Sequence, residues 1–236
     1  MKLKDYTFVL LYITLCVVTS FIPMFSDFVI NLILKLFPQG ESNPFILNMA
    51  VYGFLAIVMF TLYYQEMYTS LDYFKTKNLK KIFSIPLWVM LNWVAMITIY
   101  HTIGNNSVSQ NEVALGEATA NPPLIWSILL VGMLGPMVEE IVFRHILIGQ
   151  LSKSLPTILT VILSTICFTG IHIIGHDQFI ISEAIGYLPL ALILTFVYLK
   201  SNKAIIYPMA IHMCSNTLIQ ILQYFIQKLE SILPPV

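Results

Sequence analysis

Charged side chains are scarce in this sequence. Asp, Glu, Lys and Arg make up 10% of its 236 residues, where a soluble domain carries about 25%, and apolar residues make up 58% with a mean hydropathy of +0.82. That balance excludes an ordinary water-soluble domain and predicts a polytopic membrane protein, because each span uses about 20 apolar residues and little chain is left over. The formal charge is zero, so nothing electrostatic argues for nucleic acid as a partner. Cysteine is rare and odd in number. Cys16, Cys167 and Cys214 all fall in apolar segments, which argues against a disulfide framework and reads them as core residues. No His is followed by Glu, so the zinc-protease signature HExxH is missing. There is also no internal repeat, phosphate loop or paired CxxC, and no broken inverted repeat of the transporter kind.

What remains is apolar chain with a few polar residues placed inside it. Hydropathy predicts seven spans, at about 6–36, 45–65, 82–101, 124–150, 156–175, 180–199 and 204–226. The fold class read from this is all-α: one membrane-embedded helical bundle over 1–236, with accessory spans in 1–123 and a core of four helices in 124–226 that carries the site. The first segment is too long for a signal-peptide core and lacks a small-residue cleavage site, so it reads as a retained span, kinked or tilted around Pro23 and Asp27. Lys2, Lys4, Lys75, Lys77, Lys80, Lys81, Lys153, Lys200 and Lys203 fall on one side, whereas 37–44, 102–123 and 176–179 hold no Lys or Arg. The positive-inside rule then predicts a cytoplasmic N-terminus in a multi-pass cell-membrane protein. The polar stretch from Thr102 to Pro123 reads as a solvated external linker, and the lysine-rich 66–81 as a membrane-surface segment.

The stretch GPMVEEIVFRHILIG, Gly135 to Gly149, places Glu139, Glu140 and Arg144 in the middle of a span. Ionisable groups at such depth are rare and mark function by default. On a helix Glu140 and Arg144 are four apart and pair with each other. Glu139 is rotated by about 100° and needs a partner from another helix. Pro136 restarts or kinks the helix beside them. A structural pin between helices is the plainer reading of the same charges. Elsewhere Phe168 and His172 share a face, as do His212 and Asn216. Counted from the cytoplasmic ends, Glu139 and His212 lie at similar depth and His172 about two turns deeper. His101, His145 and His176 read as structural or interfacial.

A carboxylate without a local partner, two histidines and an amide on three spans fit hydrolysis. A buried Glu accepts a proton from water, an imidazole orients that water, and His with Asn donates to the oxyanion of a tetrahedral intermediate. The alternative is a metal: Glu139, His172 and His212 binding zinc with water in the fourth position.

The three motifs resemble a family. EEIVFR matches EExxxR, FTGIH matches FxxxH and HMCSN matches HxxxN, in the order found in the CPBP intramembrane proteases, the CAAX proteases and bacteriocin-processing enzymes also called the Abi family. The resemblance spans about 124–226. It implies an intramembrane endopeptidase in which Glu139 activates water, His172 positions it, His212 and Asn216 form the oxyanion hole, and Glu140 with Arg144 supports them. It leaves open whether a divalent metal such as zinc takes part. It also implies a peptide or protein substrate, a prenylated C-terminus, a pheromone or a bacteriocin precursor, reaching the site from the membrane or the cytoplasmic side. Frequent Ile, Leu, Lys and Asn point to an AT-rich bacterium and toward unprenylated peptides. The alternatives are a non-catalytic membrane binding or bacteriocin self-immunity protein and, further off, a proton-coupled transporter using Asp27 and Glu183 as well.

Overall fold

The computed structural model describes residues 1–21, 27–28, 31–32, 35, 44–76, 79–103, 109–174 and 181–230. Pro23 and His176 lie outside the described residues. Each expected apolar segment carries a helix. They are α1 (Leu3–Phe21), α2 (Pro44–Ser70), α3 (Ile85–Ile103), then α4 (Gln110–Thr119) in the polar connection, α5 (Leu124–Lys153), α6 (Thr157–Ile171), the short α7 (Ile181–Gly186), α8 (Leu188–Lys200) and α9 (Ile206–Glu230). No strand occurs among the described residues. Four stretches, Phe45–Lys75, Lys80–Thr102, Leu124–Lys153 and Glu183–Lys200, are long and apolar enough to cross a membrane. α6 is too short for that at 15 residues.

The bundle is apolar outside and polar at its centre. Ile57, Leu87, Ile97, Ile158 and Ile166 are exposed, while Glu140 and Arg144 are 0% and 1% exposed. A soluble protein does not present so much contiguous apolar surface; lipid covers it.

α5 is not a regular helix. α-Helical turns at Leu124–Ser127 and Gly135–Glu140 alternate with π-helical turns at Ile128–Leu134 and Ile141–Gln150. The change at Gly135 has a cause in the sequence. Pro136 has no N–H to give, so the winding changes where an α-helical hydrogen bond would be missing. The restart expected there is present. α9 lies closely along Ile128–Leu134: a Cβ on Gly132 would come within 3.3 Å of the Thr217 backbone. α6 packs on Ile141–Gln150, and α3 and α8 flank α9.

The two ends of the bundle differ. At one, the lysine-bearing loops converge: Ser70 Oγ accepts from Ile206 N (2.9 Å), Lys203 Nζ donates to Ser152 Oγ (2.9 Å), and Trp88 Nε1 donates to the Tyr207 hydroxyl (3.0 Å). At the other, the stretch expected to be a solvated linker folds instead as α4. Ser109 caps it by accepting the Glu112 N–H (3.2 Å). Asn111 Nδ2 donates to the Tyr187 hydroxyl (3.0 Å), and Ser109 Oγ lies 3.1 Å from the same oxygen. The three cysteines are free, as expected, but only half-buried.

α4 also carries a titratable group. Burial, with the Glu183 carboxylate nearby, pushes the Glu112 carboxyl above its ordinary range. A carboxyl raised on folding stabilises the folded state in its protonated form. This contribution is complete below about pH 4 and is lost as pH rises through the raised value. In Glu112→Gln the titration disappears. Thermal unfolding in detergent is expected to give equal midpoints for parent and variant in acid, with the variant holding its midpoint toward neutral pH while the parent declines. Parallel profiles would contradict this.

Candidate active site

Glu139 and Glu140 close the α-helical turn of α5, and their side chains leave it in different directions, as helical rotation requires. Glu140 is fully enclosed. Its Oε1 accepts from Arg144 Nη1 (2.8 Å) one turn on, and from His212 Nδ1 on α9 (2.9 Å). Arg144 donates its second Nη to the Ala191 carbonyl (3.3 Å), and its guanidinium carbon lies 4.3 Å from the centre of the Phe168 ring. Glu140 Oε2 and Arg144 Nε have no hydrogen-bond partner among the described residues.

His212 joins the two glutamates. Because a carboxylate accepts and does not donate, the contact with Glu140 fixes the proton on Nδ1. Nε2 then faces Glu139, with 3.9 Å to its Oε2. That distance is too long for a hydrogen bond and is one that water bridges. Among the described residues no Lys or Arg lies within ion-pair distance of Glu139. The Tyr52 phenol of α2 hydrogen-bonds to it.

Phe168 is the hub beneath. Its ring is 4.8 Å from that of His172 and 5.9 Å from that of His212. His172 ends α6 and donates Nδ1–H to the Phe168 carbonyl (2.7 Å), and its Nε2 has no hydrogen-bond partner among the described residues. Its ring stacks on Tyr187 at 4.3 Å. The extra depth counted for His172 disappears because α5 runs to Lys153: 14 residues then separate Glu139 from that end, and 15 separate His172 from the start of α6. Asn216 lies one turn beyond His212 and donates Nδ2 to the Val131 carbonyl (3.3 Å).

Glu139, His172, His212 and Asn216 all line one cavity of about 580 Å³. None of its lining residues comes from the lysine-bearing end. It extends along α9 to Gln223 and reaches Asn111 and Glu112 of α4 at the opposite end. Sequence reasoning missed Tyr52, Tyr187 and, apart from Asn216, the amides that line it. Tyr52 and Tyr187 carried no signal that could have found them. Gln220 and Gln223 did, since they continue the His212–Asn216 spacing along one helical face.

The other expectations resolve locally. His145 stays structural, set edge-on to Tyr63 at 5.6 Å and 3.1 Å from Gln150 Nε2. The donor set does not fit a metal. Both imidazoles have Nδ1 anchored and Nε2 free, as metal ligands do, yet among the described residues no three His, Cys, Asp or Glu side chains are spaced to hold an ion.

The resemblance carried by the three motifs has counterparts among known proteins. Residues 121–218 match the family model described as Type II CAAX prenyl endopeptidase Rce1-like. Among individual proteins, the chain is 26% identical over 225 residues to the membrane-embedded CAAX protease MroQ of Staphylococcus aureus (strain USA300), covering 87% of each chain. It is 27% identical over 125 residues to YdiL of Bacillus subtilis (strain 168), which is 52% of this chain and 47% of that one, so it spans about half the length of YdiL. No solved structure matches.

Proposed function

We propose that this chain is an intramembrane endopeptidase that hydrolyses a peptide bond with water activated by Glu139. The supporting observation is the 3.9 Å separation of Glu139 Oε2 from His212 Nε2 at the inner end of a cavity that also contains His172 and Asn216. Glu139 takes a proton from water as the oxygen attacks the carbonyl carbon, and returns it to the leaving amine. The free Nε2 of His172 accepts the second hydrogen of that water and orients it. Asn216 Nδ2 gives up the Val131 carbonyl to donate to the developing oxyanion. His212 joins as a donor only as an imidazolium, the form in which one N–H meets each glutamate. Glu140 and Arg144 position His212. No step is routed through a metal.

In orientation, the lysine-bearing end is cytoplasmic and the cavity leads to the other face. The substrate is a membrane-associated peptide, of the unprenylated kind that the composition favours. The test is cleavage of a quenched peptide library by the purified protein in detergent, with a chelator titration. Cleavage that survives chelation is the expected result. Cleavage lost on chelation and restored by zinc would overturn the metal-free mechanism. Binding of peptides without any hydrolysis by folded protein would replace the endopeptidase with an immunity-type binding protein.

A further inference from the structure

Tyr187 lines the cavity and has no part in the chemistry described so far. It stands at the junction of α7 and α8, with its backbone tied into both: its N–H donates to the Ala184 carbonyl (3.2 Å), and its carbonyl accepts from Ala191 N (3.1 Å). Its ring lies 4.3 Å from that of His172 at an interplanar angle of 26°. The Phe168 ring, from the helix that His172 ends, is farther and more tilted, at 4.8 Å and 49°. The phenol oxygen reaches α4, away from the lysine-bearing loops. There Asn111 Nδ2 donates to it (3.0 Å), and Ser109 Oγ, the same oxygen that caps α4, lies 3.1 Å away.

We infer that Tyr187 is a positioning residue that sets the orientation of the His172 imidazole, and that α4 anchors it. The inference rests on the endopeptidase reading for its purpose, since there Nε2 of His172 orients the attacking water. The hydrogen bond from Nδ1 to the Phe168 carbonyl (2.7 Å) fixes one atom of the imidazole. Rotation about that bond would still swing Nε2 away from the water. A nearly parallel ring at stacking distance opposes the rotation, because tilting the imidazole loses the contact. The stacked ring must itself be held, and a phenylalanine there would be held by packing alone. The tyrosine hydroxyl has two partners on another element, so a chain of contacts runs from α4 through the phenol to the imidazole. Tyr187 touches neither water nor peptide in this scheme and acts only through His172.

The test reads the imidazole directly and turnover separately. Full-length protein carrying isotope-labelled histidine is observed by NMR in detergent, with His172→Gln identifying the His172 signal. A ring stacked on an imidazole shifts its carbon-bound protons upfield, so Tyr187→Leu is expected to move them downfield. Tyr187→Phe, which keeps the ring and loses the hydroxyl, should move them the same way by less. So should Asn111→Ala, although it changes only a partner of that hydroxyl. In cleavage, Tyr187→Leu should lower kcat about 100-fold with KM little changed, the cost of misplacing a group by about 1 Å. Tyr187→Phe should lower kcat about tenfold, the loss of one well-placed hydrogen bond. Adding Asn111→Ala to it should cost nothing further, since both break the same contact. Should Tyr187→Leu not fold, Tyr187→Phe and Asn111→Ala carry the test. A His172 signal that stays in place in these variants, or effects of Tyr187→Phe and Asn111→Ala that multiply, would overturn the inference. A parent that never cuts while the signals move as described would remove the endopeptidase reading and leave the orienting contact standing. A parent that cuts, with Tyr187→Leu at the full rate, would do the reverse.

Discussion

Glu139→Gln is expected to lower the turnover number for any cleaved peptide by about 10²–10⁴-fold, the usual contribution of a positioned acid–base group. A thousandfold loss corresponds to about 4 kcal/mol of transition-state stabilisation. The substitution keeps shape and volume and removes only the ability to hold a proton between water and leaving amine. Among the described residues Glu139 makes no ion pair closer than the 3.9 Å approach of His212, so the unfolding midpoint should stay within a degree or two. A variant that keeps most of its turnover would remove Glu139 from the chemistry. One that loses turnover only by unfolding would make it a packing residue.

Arg144→Met should have the opposite profile. Arg144 lies 2.8 Å from Glu140 with both side chains essentially inaccessible. Removing one partner of such a pair leaves the other charge buried, at about 3–5 kcal/mol. For a protein of this size each kcal/mol moves the midpoint by about 2–4 °C, so a fall of roughly 6–20 °C is expected. The pair need not be favourable in itself, because replacing both members with apolar residues is often neutral. Hence Glu140→Leu combined with Arg144→Met should regain most of the lost midpoint, yet not the activity, because His212 would lose the acceptor that fixes its Nδ1 proton. Calorimetry or scanning fluorimetry on the three proteins decides it. A single-variant loss below about 1 kcal/mol would mean that water reaches Glu140.

Much of this arrangement could be read from the sequence because lipid imposes simple rules. Apolar stretches mark helices, and a charge in the middle of one must have a reason to be there. The Glu140–Arg144 pair, the shared face of Phe168 and His172, and that of His212 and Asn216 all follow from spacing. The misread linker had its own signal: Ser109 followed three residues later by Glu112 is a helix-start pattern, outweighed by the polarity around it. The end of α6 was not legible. Ile173 and Ile174 continue the apolar run past His172, and hydropathy cannot see a helix stopping where a side chain bonds its own backbone. Distance across the bundle was equally hidden. Nothing in the chain announces that Tyr52 and Glu139, 87 positions apart, share a cavity wall.

On the endopeptidase reading, the depth of the Glu139 cavity bears on which substrates can be opened at all. A segment in lipid is helical because every backbone N–H and C=O must be satisfied internally, and each group released unpaired costs several kcal/mol. Glu139 can reach a peptide carbonyl only after the helix around it has been unwound. A mostly apolar lining with a few Asn and Gln side chains can replace only some of those hydrogen bonds, so the stretch of helix opened around the cut has to stay short. Segments already weakened by Gly or Pro near the cut need the least unwinding, and local helix stability in the substrate thereby becomes a selector in its own right.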